Sequence, residues 1–234
     1  YGTAGSTTYD ATHENINDST IKQKVDKWYE DNLKTNYEEY LADTLFCNDK
    51  TLASSSIGNF NTALGYGTNT TNYASTERLI YSVGTKDITT SKPTFKCAEN
   101  ANSTYSRFTV NEITLLNGNK TNGDLKYPIG LLTADEVSYA GAYRYNETNK
   151  TFYLYNSSIT FYWWLFAPDY FDGPNAYHNN LGANDWIVSG SNGCINSSYV
   201  GNSLTFRPSI NIKASALINS GDGTKENPYT LKLQ

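Results

Sequence analysis

The order of patterns along the chain predicts an α+β fold. Apolar residues at helical spacing come early, short aromatic-rich segments of β character crowd the C-terminal part, and Asn-Gly pairs punctuate the middle. Helices first and strands later argue against the alternation that a parallel sheet with crossover helices requires. The chain has 234 residues, 38% of them hydrophobic and 18% charged, which is enough apolar mass for a core and too little charge for disorder. Residues 1–18 are polar and read as an extended lead-in, and residues 19–234 read as one domain without an internal linker.

The first element follows that lead-in. Asp18 or Ser19 can cap a helix in which Ile21, Val25 and Trp28 share one stripe, while Lys22, Lys24 and Lys27 lie off it. This helix is predicted to end near Leu33, and a second, from Tyr37 to Thr44, carries Tyr40 and Leu41 inward. Ser, Asn, Gly and Thr from Asn48 to Asn72 predict a long loop with at most one strand, followed by a short helix within Tyr73–Tyr81. Phe95, Phe108 and Val110 mark short extended pieces. Asn117-Gly118 and Asn122-Gly123 are turn signals, because Asn and Gly tolerate the left-handed backbone that tight turns demand. The run from Leu125 to Leu132 reads as a strand entering a helix, with Thr133 as N-cap, Glu136 as its capping-box partner and Gly141 as the stop. Strands are then predicted at 152–155, 161–165, 185–188, 203–212 and 229–233. Alternation would place Trp163 and Trp164 on opposite faces, so one of them must be covered by loops or belong to a binding surface.

Charge and composition exclude several function classes. Eighteen Lys and Arg against 23 Asp and Glu leave a net charge of -5, so there is no basic excess to neutralise phosphates, and nucleic acid is not an expected partner. The apolar stretch 159–168 is too short to span a bilayer, so no direct membrane insertion is expected. The sequence does not begin with Met, which is read as a chain that continues upstream, with any anchor in that N-terminal region. Twenty Tyr and abundant Asn and Ser match the palette of adaptable binding surfaces, although Tyr and Thr are also common in plain β structure.

Cys47 and Cys97 stand in matched aromatic contexts, Leu-Phe-Cys-Asn and Thr-Phe-Lys-Cys, whereas Cys194 lies in a Gly/Asn/Ser segment. The pairing expected is Cys47 with Cys97, two buried thiols being the alternative. Such a bond would contribute roughly 3 to 5 kcal/mol in the chain-entropy picture and would suit an oxidising, extracytoplasmic setting.

Three stretches occur in order: Tyr127-Pro128-Ile129-Gly130-Leu131-Leu132-Thr133-Ala134-Asp135-Glu136-Val137, then Tyr162-Trp163-Trp164-Leu165-Phe166-Ala167-Pro168, then Phe206-Arg207-Pro208-Ser209-Ile210-Asn211-Ile212-Lys213. With Gly221 to Tyr229, the Val25-Asp26-Lys27-Trp28-Tyr29 helix and the Phe46-Cys47-Asn48-Asp49 corner, they resemble an uncharacterised extracellular domain of surface and pilin-like proteins of Gram-positive gut bacteria. The succession of Trp-rich strand, Asn/Ser-rich loop, Trp-x-Val strand, second loop and Arg-containing strand is similar to the C-type lectin-like fold of the formylglycine-generating subclass. It also resembles the variable proteins of diversity-generating retroelements, although about twenty residues follow the Arg-Pro strand here. The resemblance implies a C-type lectin-like fold with N-terminal helices, short antiparallel strands and long Asn/Ser/Gly-rich loops. It also implies an extracellular, cell-surface, adhesin-like module that recognises a protein or glycan through segment 169–203.

The ligand-binding residues implied are Tyr170, Asp172, Tyr177, His178, Asn179, Asn180, Asn184, Asp185, Ser191, Asn192, Asn196, Tyr199 and Asn202. Trp186, Val188, Gly193, Ile195 and Val200 would be scaffold. The alternative is a structural module of a pilus or cell-envelope protein with no dedicated ligand.

Catalytic chemistry is not expected. His13-Glu14 lacks a second His at helical spacing, and His178 sits beside two Asn. Cys194 has no neighbouring Cys, which the oxidase activity of the formylglycine-generating proteins depends on, so that activity does not carry over. Asp169, Asp172, Asn175, Asn184 and Asp185 could be imagined around calcium, which needs six to eight converging oxygens, but are read as turn residues. No metal or other cofactor is expected. Arg207, in an apolar strand, is expected to pin neighbouring loops.

Overall fold

The computed structural model describes residues 14–54, 69–79, 92–97, 106–144, 148–173 and 182–232. Its architecture is mixed helix and sheet, with the helices spread among the first short strands rather than wholly preceding them.

Helix α1 (Thr20–Asn32) starts where the Ser19 side chain accepts from Lys22 N at 3.2 Å. Val25 and Tyr29 are buried on its inner stripe, and Ile21 and Trp28 pack beside them. The second helix comes earlier than Tyr37–Thr44. It is α2 (Lys34–Tyr37) followed by one 3-10 turn, Glu38–Tyr40, and the chain is already extended at Leu41, which bridges to Ile212. Leu41 is buried as expected, but in extended backbone just past the 3-10 turn.

Strand β1 (Phe46–Cys47) pairs antiparallel with β3 (Arg107–Phe108), and Cys47 is disulfide-bonded to Cys97. Cys194 is buried and takes no part in the disulfide. Strand β2 (Thr71–Asn72) leads into α3 (Ala74–Leu79). The predicted Asn-Gly turns are present, with Gly118 at φ 82° and Gly123 at φ 69°. Strand β4 (Ile129–Leu131) enters α4 (Ala134–Tyr139) through the expected capping box. Thr133 Oγ1 accepts from Glu136 N at 3.1 Å, and the Glu136 carboxylate accepts from Thr133 N at 2.7 Å. Arg78 of α3 holds Asp135 of α4 through two nitrogens (2.9 and 2.8 Å) and reaches Asp49 at 3.0 Å, which ties the two helices to the β1 corner.

The predicted strand at 152–155 is instead a pair of turns, with Tyr155 N donating to Phe152 O and Ile159 N to Asn156 O. The physical reason is coverage. Phe152, Leu154, Tyr155 and Ile159 fold over one face of the main sheet, which an extended segment would leave bare.

That sheet is built on β5 (Trp163–Asp172), ten residues long. Strand β6 (Gly182–Val188) runs along one edge of it, with β7 (Ile195–Tyr199) beyond. Along the other edge, β8 (Thr205–Phe206) pairs parallel at the Trp163 end, and β2 pairs antiparallel at the Tyr170 end. Trp163, Leu165 and Ala167 point into one core with Trp186, Val188, Leu79 and Val137. Trp164 and Ile187 point into the other, against Val25, Tyr29, Ile129 and Leu131. Both tryptophans of the pair are therefore buried, on opposite faces as alternation requires. Arg207 does pin a loop. Its Nη1 donates to Leu154 O at 2.7 Å, and its guanidinium lies 5.0 Å from the Trp163 ring centroid.

Strand β9 (Pro208–Ile210) pairs with β4, and β10 (Leu217–Ser220) with β11 (Thr230–Lys232) form an exposed terminal hairpin. Among the described residues no helix is long and apolar enough to cross a membrane.

Candidate functional site

The 169–203 segment, expected to present loops on either side of a 185–188 strand, is largely sheet among its described residues. Within 169–203 the chain forms the second half of β5, then β6 and β7, and residues 195–199, inside the second Asn/Ser-rich loop expected after the Trp-x-Val strand, are a strand paired along β6. Asn and Ser at alternate positions carry no apolar signal, so the hydrogen bonds to an already buried β6 decided the conformation.

Antiparallel register builds the site. Tyr170 stands opposite Asn184, Asn184 opposite Tyr199, and Asn72 of β2 opposite Tyr170, so these side chains share one face at the outer end of the sheet. Two register shifts in β5, between Trp164 and Tyr170, bring Tyr170 level with Asn184. Gly182 belongs to the same face, and a Cβ there would meet the Tyr199 ring at 2.2 Å, so only glycine lets that ring lie down over the strand. Asp172 lies one step further along β5, opposite Gly182.

Behind this row is a buried polar cluster. Asp169 is fully buried, and Thr76 donates to its Oδ1 at 2.6 Å. Its Oδ2 lies 3.5 Å from Arg144 Nη1, and neither atom has a hydrogen-bond partner. The Arg144 guanidinium is spread over the Trp186 ring, 5.0 Å from its centroid. Trp186 Nε1 donates to Ser75 Oγ at 2.9 Å, and Ser75 Oγ donates to Pro168 O at 2.7 Å, which fastens α3 to the bulged part of β5. Burial pushes the Asp169 carboxyl up, against the opposing pull of Arg144 and the hydrogen bonds from Thr76 and Ser197. Burial likewise raises Tyr170, with the charge of Asp169 adding to it. Asp185 is pushed well above its ordinary value, mainly by burial. Its hydrogen bond from Trp186 N (2.9 Å) works the other way, and the negative charge of Asp169 reinforces the rise.

The expected site residues thus fall into separate places. Tyr170, Asp172, Asn184 and Tyr199 come together at the outer end. Asp172 and Asn184 are buried there, Asn184 Nδ2 donating to Gly182 O at 3.2 Å, so these two are packed strand residues, not loop residues. Asn202 lies in the turn after β7, its N donating to Tyr199 O while its Nδ2 donates to Ser198 Oγ at 2.8 Å, on the other face of the strand. Asp185 pairs opposite Pro168 and Ser198 on the reverse face. Asn196 is exposed in β7, opposite Ile187.

Ser191 and Asn192 sit at the other end of the sheet, in the β6–β7 turn. There Gly193, at φ 75°, has no room for a Cβ beside Asn149 O. Tyr177, His178, Asn179 and Asn180 lie outside the described residues, as do Asn175 and His13. Of the expected scaffold, Trp186, Val188, Gly193 and Ile195 are buried, but Val200 is 57% exposed just past β7.

Asp169 and Asn184 are not turn residues as expected; both are buried within strands. Among the described residues no group of three or more His, Cys, Asp or Glu is placed to hold a metal ion. Sequence reasoning missed Arg144, Thr76 and Ser75. The one local sign was Arg144 between two tyrosines just after the α4 stop, an arginine in surroundings too aromatic for a purely solvated residue. No family model, curated protein or solved structure matches the chain.

Proposed function

We propose that this chain is an extracellular, non-enzymatic ligand-binding module, adhesin-like and displayed on a bacterial cell surface, that recognises a protein or a glycan through the outer end of the β5–β6–β7 sheet. The observation that carries the reading is the row Tyr170, Asn184 and Tyr199 on adjacent strands, backed by Arg144 and Asp169. Tyrosine supplies rigid amphipathic area at little entropic cost, and amides supply hydrogen bonds of either sense. Presentation from strands anchored by Trp186 keeps that surface pre-organised.

The Cys47–Cys97 disulfide suits the extracytoplasmic location. In this reading the fold is C-type lectin-like, of the kind used by retroelement-diversified variable proteins.

The second reading is a structural module of a pilus or cell-envelope protein. It is favoured by the burial of Asp172 and Asn184, which makes part of the expected surface packed structure.

Binding to immobilised panels of glycans and extracellular-matrix proteins, compared between the wild type and a Tyr199→Ala/Asn202→Ala variant, separates the two. A ligand held by the wild type and weakened about tenfold or more in the variant, equivalent to about 1.4 kcal/mol, supports the module as a binder. Retention of no probe, or retention indifferent to these positions, supports the structural reading.

A further inference from the structure

We propose that Lys50 and Asn15 are joined by an intramolecular isopeptide bond, the Lys50 amine having replaced the side-chain amide nitrogen of Asn15. The inference is independent of the ligand reading and concerns the opposite part of the chain, where the lead-in meets the β1 corner.

Three observations converge on it. Lys50 Nζ donates to Asn15 Oδ1 at 3.3 Å, which sets the amine beside the amide group it would attack. The other heavy atom of that amide, Asn15 Nδ2, is buried with no hydrogen-bond partner. Lys50 Nζ also lies 5.9 Å from the centroid of the Phe108 ring on β3, so aromatic surface takes the place of water on one side. The electrostatics agree. Burial pushes the Lys50 amine down to about 8, against a smaller upward pull from Asp124, so a share of it is unprotonated and nucleophilic near neutral pH.

The chemistry balances without an oxidant or a second substrate. The Nζ lone pair attacks Cγ of Asn15, a C–N bond forms, and the Cγ–Nδ2 bond breaks. One hydrogen of the amine moves to the departing nitrogen, which leaves as ammonia. The product is a neutral secondary amide, so a charge that is costly to bury and an amide donor that has no acceptor both disappear in one step. Holding the two groups together in the fold supplies the proximity that an uncatalysed amine and amide in solution lack. Lys50 stands three residues after Cys47, so the new bond and the Cys47–Cys97 disulfide would fasten the same corner from two directions.

The test is the intact mass of the reduced full chain, followed by peptide mapping. The expected result is a mass lower than that of the sequence by one ammonia and a single protease-resistant junction containing residues 15 and 50. Lys50→Arg, which keeps the cation but removes the nucleophile, and Asn15→Ala should each abolish the junction and the ammonia loss. A wild-type mass equal to that of the sequence overturns the proposal. So does an ammonia loss that persists in Lys50→Arg, since that assigns the loss to an asparagine cyclising on its own backbone. If either variant does not fold, mapping of the wild type alone decides.

Discussion

Between Trp163 and Ala167, β5 alternates between two apolar cores, whereas between Asp169 and Asp172 the same strand buries carboxylates and carries a tyrosine. The partner strand repeats the contrast, with Trp186, Ile187 and Val188 at the inner end and Asn184 and Asp185 at the outer. The hydrogen-bonded ladder runs through both ends, so backbone pairing does not distinguish them. What differs is the source of stability. The inner end gains by removing apolar area from water on both faces, and the outer end offsets the desolvation of its carboxylates with Thr76, Ser197 and the arginine stacked on Trp186. An arrangement so poor in apolar contact is costly as architecture, and that is the physical reason the proposed recognition surface is put there.

The largest effect should come from the inner end. Trp186→Ala removes a fully buried ring that supports the Arg144 guanidinium and donates to Ser75, and should cost about 3 to 5 kcal/mol in urea unfolding. A loss near 1 kcal/mol, as at an exposed position, would mean that the inner end is not the anchor of the sheet.

The outer end should reveal itself by pH. Unfolded Asp185 releases its proton near 3.8, while the folded chain holds it to higher pH. Between those two values the native state binds the extra proton, so the stabilising contribution is present at acid pH and is lost as pH rises through the window. Asp185→Asn should therefore flatten the decline in urea midpoint between about pH 4 and pH 7 relative to the wild type. Identical pH profiles for the two proteins would show that Asp185 is solvated and that the ends do not differ in this way.

The smallest effects sharpen the boundary between strand and surface. Ser191→Ala and Asn196→Ala, both exposed, should change stability by less than about 0.5 kcal/mol. Losses above that would extend the packed region into positions expected to be free.

Much of the fold is legible in local pattern. The Ser19 cap, the Thr133–Glu136 capping box, the Asn-Gly turns and the alternation through Trp163 and Trp164 each depend on residues within one turn or one strand, so the sequence carries their full cause. The matched surroundings of Cys47 and Cys97 also pointed to a bond that spans 50 residues.

Other features depend on partners far away in sequence. Phe152 to Tyr155 has the composition of a strand but folds into turns, because the exposed face of Trp163 needs a cover. Ile195 to Tyr199 reads as a polar loop but is a strand, because β6 presents it with unpaired backbone groups. The meeting of Arg144, Thr76 and Asp169, like that of Lys50 and Asn15, is set by how helices and strands dock. No periodicity along the chain encodes such distances, so the sequence by itself determined the capped helices, the turns and the strand that alternates between the two cores, and only the tertiary structure decided the conformation of 152–155 and 195–199 and which polar groups share a buried space.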